Sequence, residues 1–214
     1  MWLEAAASLL YSIHKAIDKK RGSIVKKLIE EIQAYEPFTE EEAADKKLFL
    51  DKLQFQEHLL TRANTDYHFS SSAWVVNPSY DKVLMVYHNI YQSYSWTGGH
   101  ADGCSDLLRV AKKELAEETG ITEYQLLHEG LFAFDILPVH EHYKRGQFIK
   151  EHYHINTTYL FMAPEDQALQ VKEDENSDVK WIEIAAIDQA VAEEEMRPYY
   201  HKMIKKALLL KKQP

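Results

Sequence analysis

The sequence predicts a mixed α/β domain preceded by a helical extension. Up to about residue 65, apolar residues recur at three- and four-residue spacing. From about Ser70, short β-branched and aromatic runs alternate with helical stretches and turn residues. The expected division is a helical extension over residues 1–65 and an α/β domain over 66–214.

The elements follow in order. Trp2, Ala6, Leu9, Leu10, Ile13 and Ile17 form one apolar stripe, which Gly22 and Ser23 interrupt. Ser23 is the N-cap expected for a second helix carrying Ile24, Leu28, Ile29 and Ile32, stopped by Glu36 and Pro37. Thr39 and Glu42 have capping-box spacing and open a third helix expected to run through Leu48, Phe49, Leu53, Leu59 and Leu60. SSAWVVN and KVLMVYHN read as two strands around a turn at Asn77, Pro78 and Ser79. SYSW, GLFAFDILPV, HYHINTTYLFMA and DVKWIEI are further strands, and RPYYHKMIKKALLLKK closes the chain as an amphipathic helix.

Composition narrows the function. With 214 residues, 45% of them hydrophobic and 12% aromatic, the chain can fill a core and is not expected to be disordered. Lys and Arg total 25 against 34 Asp and Glu, a net charge of -9, so no global basic field attracts nucleic acid or an anionic membrane. An anionic substrate then needs local help, from a metal or a basic loop. The single cysteine, Cys104, excludes an intrachain disulfide, and MWLEAAASLL, with Glu4 and no basic residue before it, is a poor signal peptide. No run is long enough to span a bilayer. A soluble, cytoplasmic protein is expected.

The stretch KELAEETGI carries three glutamates, Glu114, Glu117 and Glu118, on a helix bounded by Ser105 or Asp106 as N-cap and Gly120 as the left-handed terminator. At about 100° per residue, Leu107, Leu108, Val110, Ala111 and Leu115 mark the buried arc. Glu114 and Glu118 fall beside Leu107, and Glu117 beside Val110, while Arg109, Lys112, Lys113 and Ala116 take the wet side. Carboxylates at i, i+3 and i+4 converge on one point, and like charges beside an apolar stripe repel unless a cation sits among them. A hard, oxygen-preferring ion, Mg²⁺ or Mn²⁺, suits that set better than a structural salt-bridge network.

The longer stretch GGHADGCSDLLRVAKKELAEETGI, Gly98 to Ile121, resembles the Nudix box. Gly99, Glu114, Leu115, Glu117, Glu118, Gly120 and Ile121 match it in register without a gap. Ser105 replaces the first glutamate and Lys113 the arginine, the pair that in the family braces the loop against the helix; Asp106 stands one residue late to substitute. Weaker likeness runs from Phe38 to the C-terminus and points to an uncharacterised bacterial branch of the family. The resemblance implies an α/β/α sandwich with a mixed sheet. It also implies metal-dependent hydrolysis of a diphosphate linkage in a nucleoside diphosphate-linked or related small molecule, by water attack on phosphorus. Glu114, Glu117, Glu118 and the Gly99 carbonyl would hold Mg²⁺ or Mn²⁺, with Glu117 or Glu118 doubling as base. By the same analogy two copies pair as a homodimer.

Other residues have two readings each. Gly98 and Gly99 fit a tight turn or a close approach of backbone to metal and phosphate. His100 and Asp102 line the site or fix the loop by local hydrogen bonds. In VHEHYKRGQFIKEHYHIN, Lys144 and Arg145 are candidate phosphate contacts. His140 with His142, and His152 with His154, flanked by Glu141 and Glu151, have spacings a transition metal can use, although strand alternation alone accounts for the second pair. Trp74, Tyr94 and Trp96 can stack a base or serve the core, and Trp181 is expected in the core.

Two rivals stand beside the hydrolase. Isopentenyl diphosphate isomerases share the fold, but their catalytic cysteine falls where this chain has Gly98, and Cys104 is six residues away. A ligand sensor or interaction module without turnover is the other, and the three retained glutamates weigh against it.

Overall fold

The computed structural model describes residues 26–144 and 146–212. The stripe from Trp2 to Ile17, the Ser23 cap and Arg145 lie outside them. Residues 26–34 are helical (α1) and α2 spans Glu40–Asp51. The strands are β1 Tyr67–Val76, β2 Lys82–His88, β3 Ser93–Ser95, β4 Thr97–His100, β5 Gln125–Leu126, β6 Ala133–Val139, β7 His142–Lys144, β8 Gln147–Ile149, β9 His152–Met162 and β10 Asn176–Glu183. Helix α3, Leu107–Thr119, lies between β4 and β5, and α4, Ile187–Ala190, with α5, Arg197–Lys211, follows β10.

The sheet is mixed, in the order β10-β2-β1-β9-β5, with β3 on β2, β4 on β1 and β6 on β9. β1 and β9 run parallel in register from Tyr67↔Tyr153 to Val76↔Met162. The other edge of β1 is shared: Val76 meets Val83 of β2, while Ser70 to Ala73 pair antiparallel with His100 to Thr97 of β4. The chain therefore crosses from one neighbour to the other at Trp96.

Side-chain alternation sends successive residues of each strand into two cores. Phe69, Ala73 and Val75 of β1 join Leu28 and Ile32 of α1, Phe49 of α2 and Leu107, Ala111 and Leu115 of α3. Trp74 and Val76 join Tyr200, Met203 and Ala207 of α5. This is the α/β/α sandwich, and the helices before residue 66 share its first core. Trp74 is fully buried and Trp181 is half-buried against the first core.

Thr39 caps α2 by accepting from Glu42 N–H at 3.2 Å. The reciprocal half of the capping box is absent, because the Glu42 carboxylate is fully buried elsewhere. It accepts from Phe38 N–H and Tyr35 O–H, each at 2.6 Å, and pairs with Lys202 of α5 at 2.8 Å. Lys202 also pairs with Asp135 of β6, whose carboxyl burial pushes up to about 6 against the pull of Lys202. Helix α2 stops at Asp51 rather than running to Leu60. A short 3-10 turn, Leu53–Phe55, and further turns follow, so Leu53 and Leu59 reach the core from turn backbone.

Removing one partner of a buried ion pair leaves an uncompensated charge. Lys202→Met is therefore expected to destabilise the fold by about 3–5 kcal/mol, read as a lower urea midpoint with an unchanged denaturant slope.

Candidate metal centre and active-site cavity

Helix α3 begins where expected. Asp106 accepts from Arg109 N–H at 3.0 Å, and Gly120 ends the helix at φ 76°. Ser71 Oγ donates to the Leu107 carbonyl at 2.7 Å and ties the start of the helix to β1. Glu114 and Glu118 are buried with the apolar face, in agreement with the helical arithmetic. Glu117 departs from it: 44% of its side chain is exposed, against 10% for Glu114. The wheel placed it beside Val110, yet it stands about two turns further along the helix and meets Lys113 and Lys172 at the surface.

Gly98 and Gly99 form no turn. Both lie in β4, and neither is among the residues with positive φ. What they supply is space. A Cβ on Gly99 would fall 2.5 Å from the Glu114 carboxyl carbon, and one on Gly98 would fall 2.6 Å from Ser72 Oγ. Gly98 N–H donates to Glu118 Oε2 at 3.0 Å, whereas Ala101 N–H donates to Phe69 of β1. In an extended strand a residue's N–H and C=O share one edge and its neighbours use the other. The carbonyl facing the glutamate edge is thus that of Gly98, while Gly99 is turned toward β1. The resemblance pointed to the adjacent carbonyl, that of Gly99.

Glu118 has neutral hydrogen-bond partners, Gly98 N–H and the Asn176 amide at 3.2 Å. Burial, with Glu114 alongside, pushes its carboxyl up to about 8 despite those donors. Asn176 Oδ1 is buried without a hydrogen-bond partner. Lys113 Nζ lies 2.9 Å from Glu114 and 2.8 Å from Glu117, and Lys172 Nζ lies 3.8 Å from each. Two ammonium groups thus stand among the carboxylates, and Lys113 is held above its ordinary range by its bond to Glu117. The donors are hard oxygens, Glu118 forms no ion pair within 4.0 Å among the described residues, and a cationic position exists between the others. These residues fit Mg²⁺ or Mn²⁺.

A cavity of about 590 Å³ opens beside β4. Glu114, Glu118, Lys113 and Lys172 line one end, and Tyr91, Trp96, Leu137 and Tyr200 provide aromatic and apolar wall. Of the candidate base-stacking residues, Trp96 faces this space, whereas Trp74 is in the core and Tyr94 donates to Asp178. His100 lines the cavity too.

Asp102 fixes the loop after β4 through a distant partner rather than a local one. Arg62 grips it with two bonds, Nε–Oδ1 at 3.0 Å and Nη2–Oδ2 at 2.8 Å, and draws its carboxyl below the usual range. Gly103 N–H donates to the Leu60 carbonyl at 2.7 Å. Together these contacts tie the loop after β4 to the segment that precedes β1. Cys104 packs against the first core, and its Sγ donates to the Asp106 carbonyl at 3.4 Å. His140 and His142 also line the cavity, with the His142 ring centroid 6.5 Å from that of His152, and β7 ends at Lys144.

Sequence reasoning missed Arg62, Lys172 and Asn176. Asn176 lies in ENSDVKWIEI, where family likeness was the available signal; Arg62 and Lys172 carry no local signature, because their partners are distant in sequence.

The NUDIX domain matches residues 66–205. Among solved structures, a C. elegans Ap4A hydrolase binary complex is 19% identical, covering 65% of this chain and 96% of its own, with a TM-score of 0.47. The NUDIX domain of Shewanella oneidensis NrtR, solved with ADP ribose, is 18% identical, covering 74% and 97% respectively, with a TM-score of 0.48. The E. coli dihydroneopterin triphosphate pyrophosphohydrolase is 13% identical, covering 64% and 94%, with a TM-score of 0.47. No curated protein matches significantly. The family match spans most of the chain and takes in β4, α3 and the strands beside them, and on that ground the chain belongs to the NUDIX domain family.

Proposed function

We propose that this protein is a metal-dependent pyrophosphohydrolase acting on a diphosphate linkage in a nucleoside diphosphate-linked or related small molecule. The observation that carries the reading is the convergence of Glu114 and Glu118 on Gly98 and Gly99 at one end of a cavity large enough for such a molecule. Glu114, Glu117, Glu118 and the Gly98 carbonyl would hold Mg²⁺, or Mn²⁺ in its place. When bound, the cation neutralises phosphoryl oxygens and assists in activating water.

The chain's own residues do the positioning. Gly98 N–H and Asn176 fix Glu118, and the bare Cα of Gly99 lets Glu114 reach the strand. Lys172, at the cavity wall, is placed to meet a phosphate oxygen once the carboxylates have another cation. Trp96 and Tyr91 supply surface for the group carried on the diphosphate. Among the described residues no helix is long and apolar enough to cross a membrane, and the proposed setting is the cytoplasm.

Phosphate and mononucleotide release from a panel of diphosphate compounds, with Mg²⁺ or Mn²⁺, tests the reading. Turnover of a panel member is expected, with kcat falling at least roughly a hundredfold in Glu118→Gln, as when a group that stabilises transition-state charge is lost. If metal and nucleotide bind without turnover, the protein is a sensor. Glu117→Gln beside Glu118→Gln, each compared at saturating Mg²⁺, distinguishes the base, whose variant keeps the larger kcat deficit once metal occupancy is restored. Gly99→Ala is expected to push Glu114 aside and lower kcat by roughly ten- to a hundredfold, measured with the same substrate.

A further inference from the structure

Four histidines, brought from three strands, occupy the other face of β4. His68 lies in β1, His100 ends β4, and His152 and His154 begin β9. Register puts them on one face, since His68 pairs with His154, and Ser70, two residues beyond His68, pairs with His100. One ring nitrogen from each lies within 4.8 Å of the other three. The ring centroids of His68 stand 5.0 Å from His100, 4.9 Å from His152 and 5.0 Å from His154.

The tautomers of two rings follow from their surroundings. His68 Nδ1 is 3.0 Å from the Asn64 carbonyl, and His152 Nδ1 is 2.9 Å from the Lys150 carbonyl. A carbonyl only accepts, so each Nδ1 carries the proton and each Nε2 presents a lone pair. Backbone carbonyls on the outer nitrogen are the usual means of orienting a metal-bound imidazole. His152 Nε2 then faces His154 Nε2 at 3.3 Å. The remaining lone pair has no such neighbour. His68 is buried, and its Nε2 has no hydrogen-bond partner. A network made only of imidazole hydrogen bonds would have supplied one, and an unsatisfied buried acceptor is costly.

We propose that His68, His100, His152 and His154 form a binding site for one divalent transition-metal ion of the zinc class, separate from the carboxylate centre. Nitrogen donors at about 2.0–2.1 Å from a tetrahedral zinc stand about 3.3 Å apart, the separation His152 and His154 already have. Closing the rest needs movement on the order of an ångström. Imidazole-only coordination favours Zn²⁺, Co²⁺ or Ni²⁺ and disfavours Mg²⁺, the reverse of the glutamate end. Four protein ligands make a closed site, whose role is to clamp β1, β4 and β9 together where they border the cavity. The proposal does not depend on the hydrolase reading, because its ligands and its metal preference are different.

The test uses the full-length protein, stripped with a chelator and titrated with Co²⁺ or Zn²⁺ in excess Mg²⁺. One Co²⁺ per chain is expected, with the visible spectrum of tetrahedral nitrogen coordination. Affinity should fall by roughly a hundredfold in His68→Ala and His154→Ala and persist in Glu114→Gln and Glu118→Gln. Absence of stoichiometric binding under excess Mg²⁺, or binding lost with the glutamates and kept without the histidines, would overturn it. Should circular dichroism show the histidine variants unfolded, X-ray absorption of the zinc-loaded wild type decides. A four-imidazole shell supports the site, and an oxygen-dominated shell refutes it.

Discussion

Strand β1 is paired along its whole length to β9 and, on its other edge, first to β4 and then to β2. The cavity, the glutamate end and the histidine face all follow from that double pairing. Ser71 holds the start of α3 from one side of the strand. On the opposite side Ser70 and Ser72 donate to Asn156 Oδ1 at 3.0 and 2.7 Å, filling with satisfied polar groups a region that would otherwise be apolar core. A one-residue slip of β4 against β1 would exchange the faces of Gly98 and Gly99 and take away both the space for Glu114 and the N–H for Glu118.

The same sheet is closed at its β6 edge by buried charge. Glu42, Asp135 and Lys202 come from α2, β6 and α5, and Lys206 of α5 donates to Tyr35 Oη at 2.8 Å, its ammonium drawn down to about 8 by burial. Such a cluster is specific in geometry before it is favourable in energy. It makes α2 part of the same packed body as the sheet, since its buried Glu42 pairs with Lys202 of α5, which also holds Asp135 of β6.

Much of this was legible in the sequence where the signal is local. The limits of α3 were readable because Asp106 and Gly120 act within a turn of their own positions, and β1, β2, β6, β9 and β10 because their apolar runs are dense. β4 was hidden: two glycines in sequence suggest a turn, and only pairing with β1 makes them a strand. The overextended α2 has a related cause, since Leu53, Leu59 and Leu60 keep helical spacing while the backbone between them turns. Of the histidines, the alternation of His152 and His154 was visible, but their partners His68 and His100 belong to other strands, and no local spacing predicts register across a sheet. The same holds for Arg62 and Asp102.

That last pair sets the loop after β4 apart from one braced internally. Both side chains are more than half exposed, so their attraction is screened by mobile ions and fades as ionic strength rises. The segment from Ala101 to Asp106 joins the strand carrying His100 to the helix carrying the glutamates. Its order, and with it the mutual placement of those two ends of the cavity, becomes a property of the surrounding electrolyte as well as of the fold.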